Sequence, residues 1–173
     1  MEDQAEPHWL DTEEQQNWYA FAYALIRLPA ALDAQMQRDA GISHFEYLVL
    51  SGLSVMPDGT QRMSDLAVFT ASTLSRLSNV VARLEKRGWV SRTPDPSDGR
   101  YTLATLAEDG RVKVTASTPA HVDEVRRLVF DPLTKAQQQH LGRISQRILN
   151  VIDPSTPSIE DCFPQAAPPL NGK

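Results

Sequence analysis

Residues 63–88, MSDLAVFTASTLSRLSNVVARLEKRG, set the architecture of the chain. Ser64 is positioned to cap a short helix, with Asp65 at its positive end and Leu66, Ala67 and Phe69 as its buried positions. Thr70-Ala71 makes a brief connection, and Ser72 opens a second helix that runs to Arg87 and stops at Gly88. A short helix, a tight turn and a longer helix make the pattern of a helix-turn-helix. With Leu74 set at zero and about 100° per residue, Leu77, Val80, Val81 and Leu84 share its arc. Ser72, Ser75, Arg76, Asn79 and Arg83 fall on the opposite arc. A merely solvated face would more often carry Glu and Lys. Small hydroxyls and an amide allow close approach to base edges, and arginine can bond guanine or phosphate.

Outward from this element, the character changes after Gly88. Residues 89–93 and 101–106 are rich in β-branched and aromatic side chains, and the turn formers Pro94-Asp95-Pro96-Ser97-Asp98-Gly99 lie between them. The pattern predicts a β-hairpin with an extended tip. Arg100 stands at that tip beside Asp98. An extended arginine can enter a minor groove, and Asp98, which would itself repel phosphate, can orient the guanidinium.

On the N-terminal side, Ser43 and Glu46 form a capping box, with Ile42 and Tyr47 as its hydrophobic staple. The helix they open has Phe45, Leu48, Val49 and Leu53 as its inner stripe and ends at Pro57-Asp58-Gly59. Before it, residues 12–39 carry Trp18, Phe21, Ala22, Leu25, Leu28, Leu32 and Met36 at helical spacing, with a kink or break expected at Pro29 and a stop at Gly41. On the C-terminal side, residues 108–130 read as a helix kinked or divided by Pro119. Thr134 and Gln137 then cap a last helix striped by Leu141, Ile144, Ile148 and Val151. From Asp153 onward the chain holds five of its twelve prolines, a composition expected of a mobile tail.

The chain has 173 residues with 41% hydrophobic and 23% charged side chains, ordinary values for one globular domain. No apolar run is long enough to span a membrane, and no basic segment leads into an apolar one at the N-terminus. A cytoplasmic protein is the expectation. The single cysteine, Cys162, excludes an internal disulfide framework and a multi-cysteine zinc site. The net charge of −5 argues, as a whole-chain number, against a nucleic-acid partner. Its distribution argues the reverse. Residues 72–100 carry +3, leaving −8 on the rest, and residues 1–20 contain six acidic side chains and no Lys or Arg.

The runs Met63-Ser-Asp-Leu-Ala, Ser72-Thr-Leu-Ser-Arg-Leu, Arg83-Leu-Glu-Lys-Arg-Gly88-Trp-Val and Asp95-Pro-Ser-Asp-Gly-Arg100, in this order and spacing, closely resemble the multiple-antibiotic-resistance regulator (MarR) family of winged-helix transcription regulators. The resemblance extends from about Leu10 to Ile152. It implies a mainly α fold with a small β-hairpin wing, a winged helix-turn-helix with N- and C-terminal dimerisation helices. The corresponding division is an irregular acidic N-terminus (1–10), a dimerisation helix (11–42), the DNA-binding domain (43–106), C-terminal dimerisation helices (107–152) and a proline-rich flexible tail (153–173).

By the same resemblance Ser72, Thr73, Ser75, Arg76 and Asn79 face the major groove of double-stranded DNA, Arg83 lies near the backbone, and Arg100 is the wing arginine with Asp98 as its partner. The chain departs from the family at Gly99, where a further arginine is usual, and at Ala107, where a capping Thr is usual. The family is homodimeric. The long first helix and two C-terminal amphipathic stretches agree, since they carry more apolar stripe than a small winged helix could cover. Many members also bind small aromatic or phenolic effectors between the dimerisation helices and the winged helix, which makes Tyr23, Arg27, His44 and Tyr47 the candidates here. Taken alone, those aromatics read as core and His44 as a solvated first-turn residue.

Other functions find less support. His8, His44, His121 and His140 lack metal-ligand spacing, no glycine-rich phosphate loop occurs, and neither catalytic residues nor a cofactor or metal are expected. Cys162 has no basic neighbour to lower its pKa, which argues against redox sensing. The competing reading is a winged helix that uses its basic face for protein contacts. A repressor released by a ligand is the expectation drawn from the family.

Overall fold

The computed structural model describes residues 7–154; Cys162, the prolines beyond 154 and the first six residues lie outside the described residues. The first helix, α1 (Thr12–Ala40), opens on a capping box between Asp11 and Glu14 and ends at Gly41 in the left-handed region (φ 65°). It runs unbroken through Pro29, against the expected kink or break. Pro29 deprives only the Leu25 carbonyl of a donor, and Leu25 is exposed, so water can solvate that group.

Helix α2 (His44–Ser54) opens on the Ser43–Glu46 capping box, as its sequence predicts. Its buried side is wider than the expected stripe and includes Tyr47 and Leu50, while Phe45 and Leu48 are half-buried. The reason is position: α2 touches α1 and, later in the chain, the elements at residues 63–69, 74–86, 102–106 and 108–125. A short strand β1 (Thr60–Arg62) follows, then helix α3 (Met63–Phe69). Ser64 does not cap α3; the cap position is Arg62, whose side chain makes no capping bond, and the Ser64 hydroxyl turns to Asp65.

The turn between the two helices passes through Ala71 at φ 46°. Helix α4 (Leu74–Lys86) begins two residues later than expected, with Thr73 as its cap accepting from the Arg76 amide. Ser72 still belongs to the turn, because its amide donates to the Ala67 carbonyl at 2.9 Å. Leu77, Val80, Val81 and Leu84 are buried as predicted, but Leu74 is 54% exposed. A helical side chain leans back over the turn that precedes it, and a residue at the first position has no such turn to cover.

Strands β2 (Val90–Pro94) and β3 (Thr102–Leu106) form the expected hairpin. The sheet is larger than the hairpin, since β1 pairs with the other edge of β3 to give the antiparallel order β1-β3-β2. Three residues are too few for an alternating pattern to show in the sequence. Helix α5 (Glu108–Val125) has no side-chain cap at Ala107. It passes intact through Pro119 and into a π-helical stretch, Arg126–Phe130. Thr115, whose carbonyl Pro119 leaves unpaired, is exposed. The last helix, α6 (Lys135–Ile152), has the Thr134–Gln137 capping box.

The core joins α2, α3, α4 and the sheet to the C-terminal end of α1 and the start of α5, through Met36, Ile42, Leu50, Leu53, Leu66, Leu77 and Leu84. The apolar stripes of α1 and α6 are left uncovered over most of their length: Trp18, Leu25, Ile144 and Val151 are all exposed. No described helix is long and apolar enough to cross a membrane.

Candidate nucleic-acid interface

The outer face of α4 presents Ser75, Arg76, Asn79 and Arg83, all exposed, with Thr73 exposed at its cap and Ser72 half-buried in the preceding turn. The Thr73 hydroxyl accepts the Arg76 amide and so keeps its own proton for an outside acceptor. Both arginines are steadied from α2. Arg76 lies over the Phe45 ring at 4.3 Å, and Arg83 Nε donates to Glu46 Oε1 at 3.5 Å. Glu46 is buried and spends its other oxygen on the Ser43 amide, so one carboxylate caps α2 and holds Arg83. Arg92, part of the basic segment, is turned inward to Glu85 at 2.7 Å.

The wing is braced at its root. Buried Asp95 accepts the Ser97 hydroxyl at 2.6 Å, the Ser97 amide at 2.8 Å and Arg62 Nε at 2.7 Å. These bonds, those from Ser97 foremost, lower its pKa to about 2. The Arg62 guanidinium also lies over the Tyr101 ring at 4.5 Å, which ties β1 to the far side of the tip. Beyond this root, Arg100 donates from Nε to Asp98 Oδ1 at 2.9 Å and from a terminal nitrogen to Oδ2 at 2.6 Å. The paired bonds fix the plane of the guanidinium and hold the Asp98 carboxyl below its ordinary pKa. The Arg100 side chain remains 85% exposed.

Sequence reasoning missed Arg62, Asp95 and Tyr101. Asp95-Pro-Ser97 carries a local signal, an aspartate able to bond the backbone two residues on. The partner Arg62, 33 residues earlier, carries none.

The four candidates for an effector do not form one cluster. Tyr23 and Arg27 make a pair of their own on the exposed side of α1, with the guanidinium 5.9 Å from the ring. His44 and Tyr47 instead meet α5. The His44 and His121 rings are 5.3 Å apart, and the Tyr47 and His121 rings 4.5 Å. Thr118 donates its hydroxyl proton to the Val114 carbonyl, so the Tyr47 hydroxyl donates to Thr118 at 3.2 Å. His44 is thus half-buried and not a solvated first-turn residue, because α5 covers it and its amide is held by Asp33 at 2.8 Å.

Burial lowers the pKa of both histidines; His121 is lowered further by His44, while Asp33 partly restores His44. His121 Nδ1 is buried without a hydrogen-bond partner among the described residues. Below the ordinary value of 6.5, an unfolded chain takes up protons that the folded one resists. The stability associated with these neutral rings is therefore complete above that value and is lost as pH falls below it. The melting temperature should drop between about pH 7 and pH 5, and His121→Gln should flatten the drop. Asp95, Asp98 and Glu85, whose pKa values are lowered by their hydrogen bonds, lose their contribution only in more acidic solution. A melting temperature constant over that window in the parent protein would exclude this role for the pair.

A helix-turn-helix followed by a braced wing, built on helices with uncovered apolar faces, defines a winged-helix protein. A family model described as "MarR family" matches residues 40–100. Sco3205, a MarR family transcriptional regulator from Streptomyces coelicolor solved in complex with DNA, is 44% identical over 85% of this chain and 96% of its own, with a TM-score of 0.82. AbsC, a MarR family transcriptional regulator from the same organism, is 30% identical over 86% of this chain and 100% of its own, with a TM-score of 0.81. The Bacillus subtilis HTH-type transcriptional regulator YdcH is 31% identical over 98 residues, which are 56% of this chain and 66% of YdcH. The chain belongs to the MarR family of transcriptional regulators.

Proposed function

We propose that the protein is a homodimeric repressor that binds a pseudo-palindromic operator in double-stranded DNA. The observation that carries this reading is an extended, oriented Arg100 on a braced wing beside the exposed Ser75 and Asn79 of α4. The helix enters the major groove with Ser72, Thr73, Ser75, Arg76 and Asn79 toward base edges, and Arg83 meets the backbone. The wing carries Arg100 into the adjacent minor groove with Asp98 holding its plane. Sco3205 was solved on DNA, which supports the assignment over a protein-contact role for the same face.

Dimerisation supplies the missing cover for α1 and α6. It also sets two copies of α4 about 34–36 Å apart, one turn of the double helix. Release follows from an aromatic or phenolic effector with higher affinity for the DNA-incompetent dimer, since only differential affinity shifts the population. Tyr23, Arg27, His44 and Tyr47 are its proposed contacts. The separate placing of the two pairs within one protomer means that an effector touching all four would need the dimer to bring them together.

The test is a gel shift of the purified protein on the DNA upstream of its own gene, repeated over a range of salt. Binding through several phosphates should fall linearly in a log–log plot, with a slope of roughly −0.9 per phosphate neutralised. If no fragment binds at low salt and selection from random sequence recovers no palindrome, the face serves protein contacts instead.

A further inference from the structure

Leu74 lies on the apolar arc of α4 but does not join the core. It is the first residue of α4 and 54% exposed, whereas Leu77, Val81 and Leu84 of the same helix are buried. Scattered exposed apolar residues are normal on any surface. The setting of this one is not. Most of the large exposed apolar residues cluster on α1 and α6, but Leu74 adjoins Ser75 on the reading helix. It also lines an open cleft of about 350 Å³ between α4 and the wing, shared with Met63, Ser78, Arg92, Arg100 and Tyr101.

In a helix-turn-helix the N-terminal residues of the second helix approach base edges. The major-groove edges of the bases are donors and acceptors with one apolar exception, the 5-methyl group of thymine. A leucine at the start of α4 has nothing to offer a donor or an acceptor and gains only by shedding water against an apolar group. We propose that Leu74 is a specificity-determining residue that reads a thymine in each half-site through its methyl group. The proposal rests on the DNA-binding reading above and adds to it an apolar contact. The polar residues Ser75 and Asn79 would then choose the neighbouring bases.

Deoxyuridine lacks only that methyl, so the experiment replaces each operator thymine in turn by deoxyuridine. Affinities of the parent protein and of Leu74→Ala are measured by fluorescence anisotropy on the same DNA set. One thymine per half-site should be sensitive in the parent protein, with a loss of about fourfold for one site and about fifteenfold for both. Leu74→Ala should lose a comparable amount on the unmodified operator and no longer distinguish the two bases. Leu74→Met, which keeps an apolar tip, should retain the preference. Because the side chain is largely in water, the melting temperature of Leu74→Ala should match the parent's. The proposal is overturned if Leu74→Ala binds the unmodified operator as tightly as the parent does. It is equally overturned if the variant keeps the parent's preference for thymine, or if the parent shows none. Failure of DNA binding itself would appear in the parent protein with unmodified DNA, before any variant is compared.

Discussion

Gly110→Ala will lower the melting temperature by about 4–8 °C, the largest stability loss expected from so small a change. Gly110 lies in the first turns of α5, where the helix crosses the end of the recognition-helix unit. A Cβ there would sit against the Trp89 carbonyl oxygen, well inside contact distance, and within 2.9 Å of Leu106 Cδ1. The carbonyl cannot swing away without cost, because it accepts the Ala107 amide at 2.9 Å. Trp89 itself is held between Arg87 and Lys113, whose cationic groups lie 5.0 and 5.6 Å from its ring. Overpacking against fixed backbone costs roughly 3 kcal/mol, against about 1 kcal/mol recovered from the better helix propensity of alanine. Melting curves must be compared at equal protomer concentration, since assembly raises the apparent stability. A melting temperature at or above the parent's would show that α5 can shift outward freely at this point.

Such a close approach is invisible in sequence, and the reason separates what was legible from what was not. The capping boxes at Ser43–Glu46 and Thr134–Gln137 were readable because both partners lie within one turn. The buried arc of α4 was readable because its opposite face carries Ser, Asn and Arg, so that the two sides contrast. Ser72 and Thr73 are chemically equivalent as caps, and a backbone bond from Ser72 to Ala67 decides between them. That bond depends on the turn geometry at Ala71, which no side chain announces. Leu74 satisfies the helical period and still lies outside the core, because periodicity assumes a preceding turn.

The candidate site divides along the same line. Asp98 and Arg100 are two residues apart, and their pairing follows from that nearness. The brace at the wing root, Arg62 with Asp95 and Tyr101, joins residues far apart in the chain. His44 reads as a solvated residue until α5 returns with His121, 77 positions later, to cover it. Net charge misled for a related reason: it averages a +3 element with a −8 remainder, and an interface is a local quantity.

Arg100→Ala should reduce DNA affinity about tenfold to a hundredfold at low salt, with similar losses on operator and random DNA. The wing arginine is proposed to sense groove potential and shape, and neither requires one particular base. The loss is large because Gly99 leaves Arg100 as the cation of the tip, and because the proposed dimer would lose both wings at once. The salt dependence should become shallower by about one phosphate equivalent per wing. Stability should stay near the parent's, since Arg100 is 85% exposed and the brace on Asp95 does not include it. Asp98→Asn provides the graded case: the Arg100 charge stays, the hold on its guanidinium weakens and the carboxylate that repels phosphate is removed, so affinity should fall by less than in Arg100→Ala. An unchanged affinity for Arg100→Ala would remove the wing from the interface. A loss confined to one base position would instead make Arg100 a base reader, and the helix face and wing would then exchange the roles proposed for them.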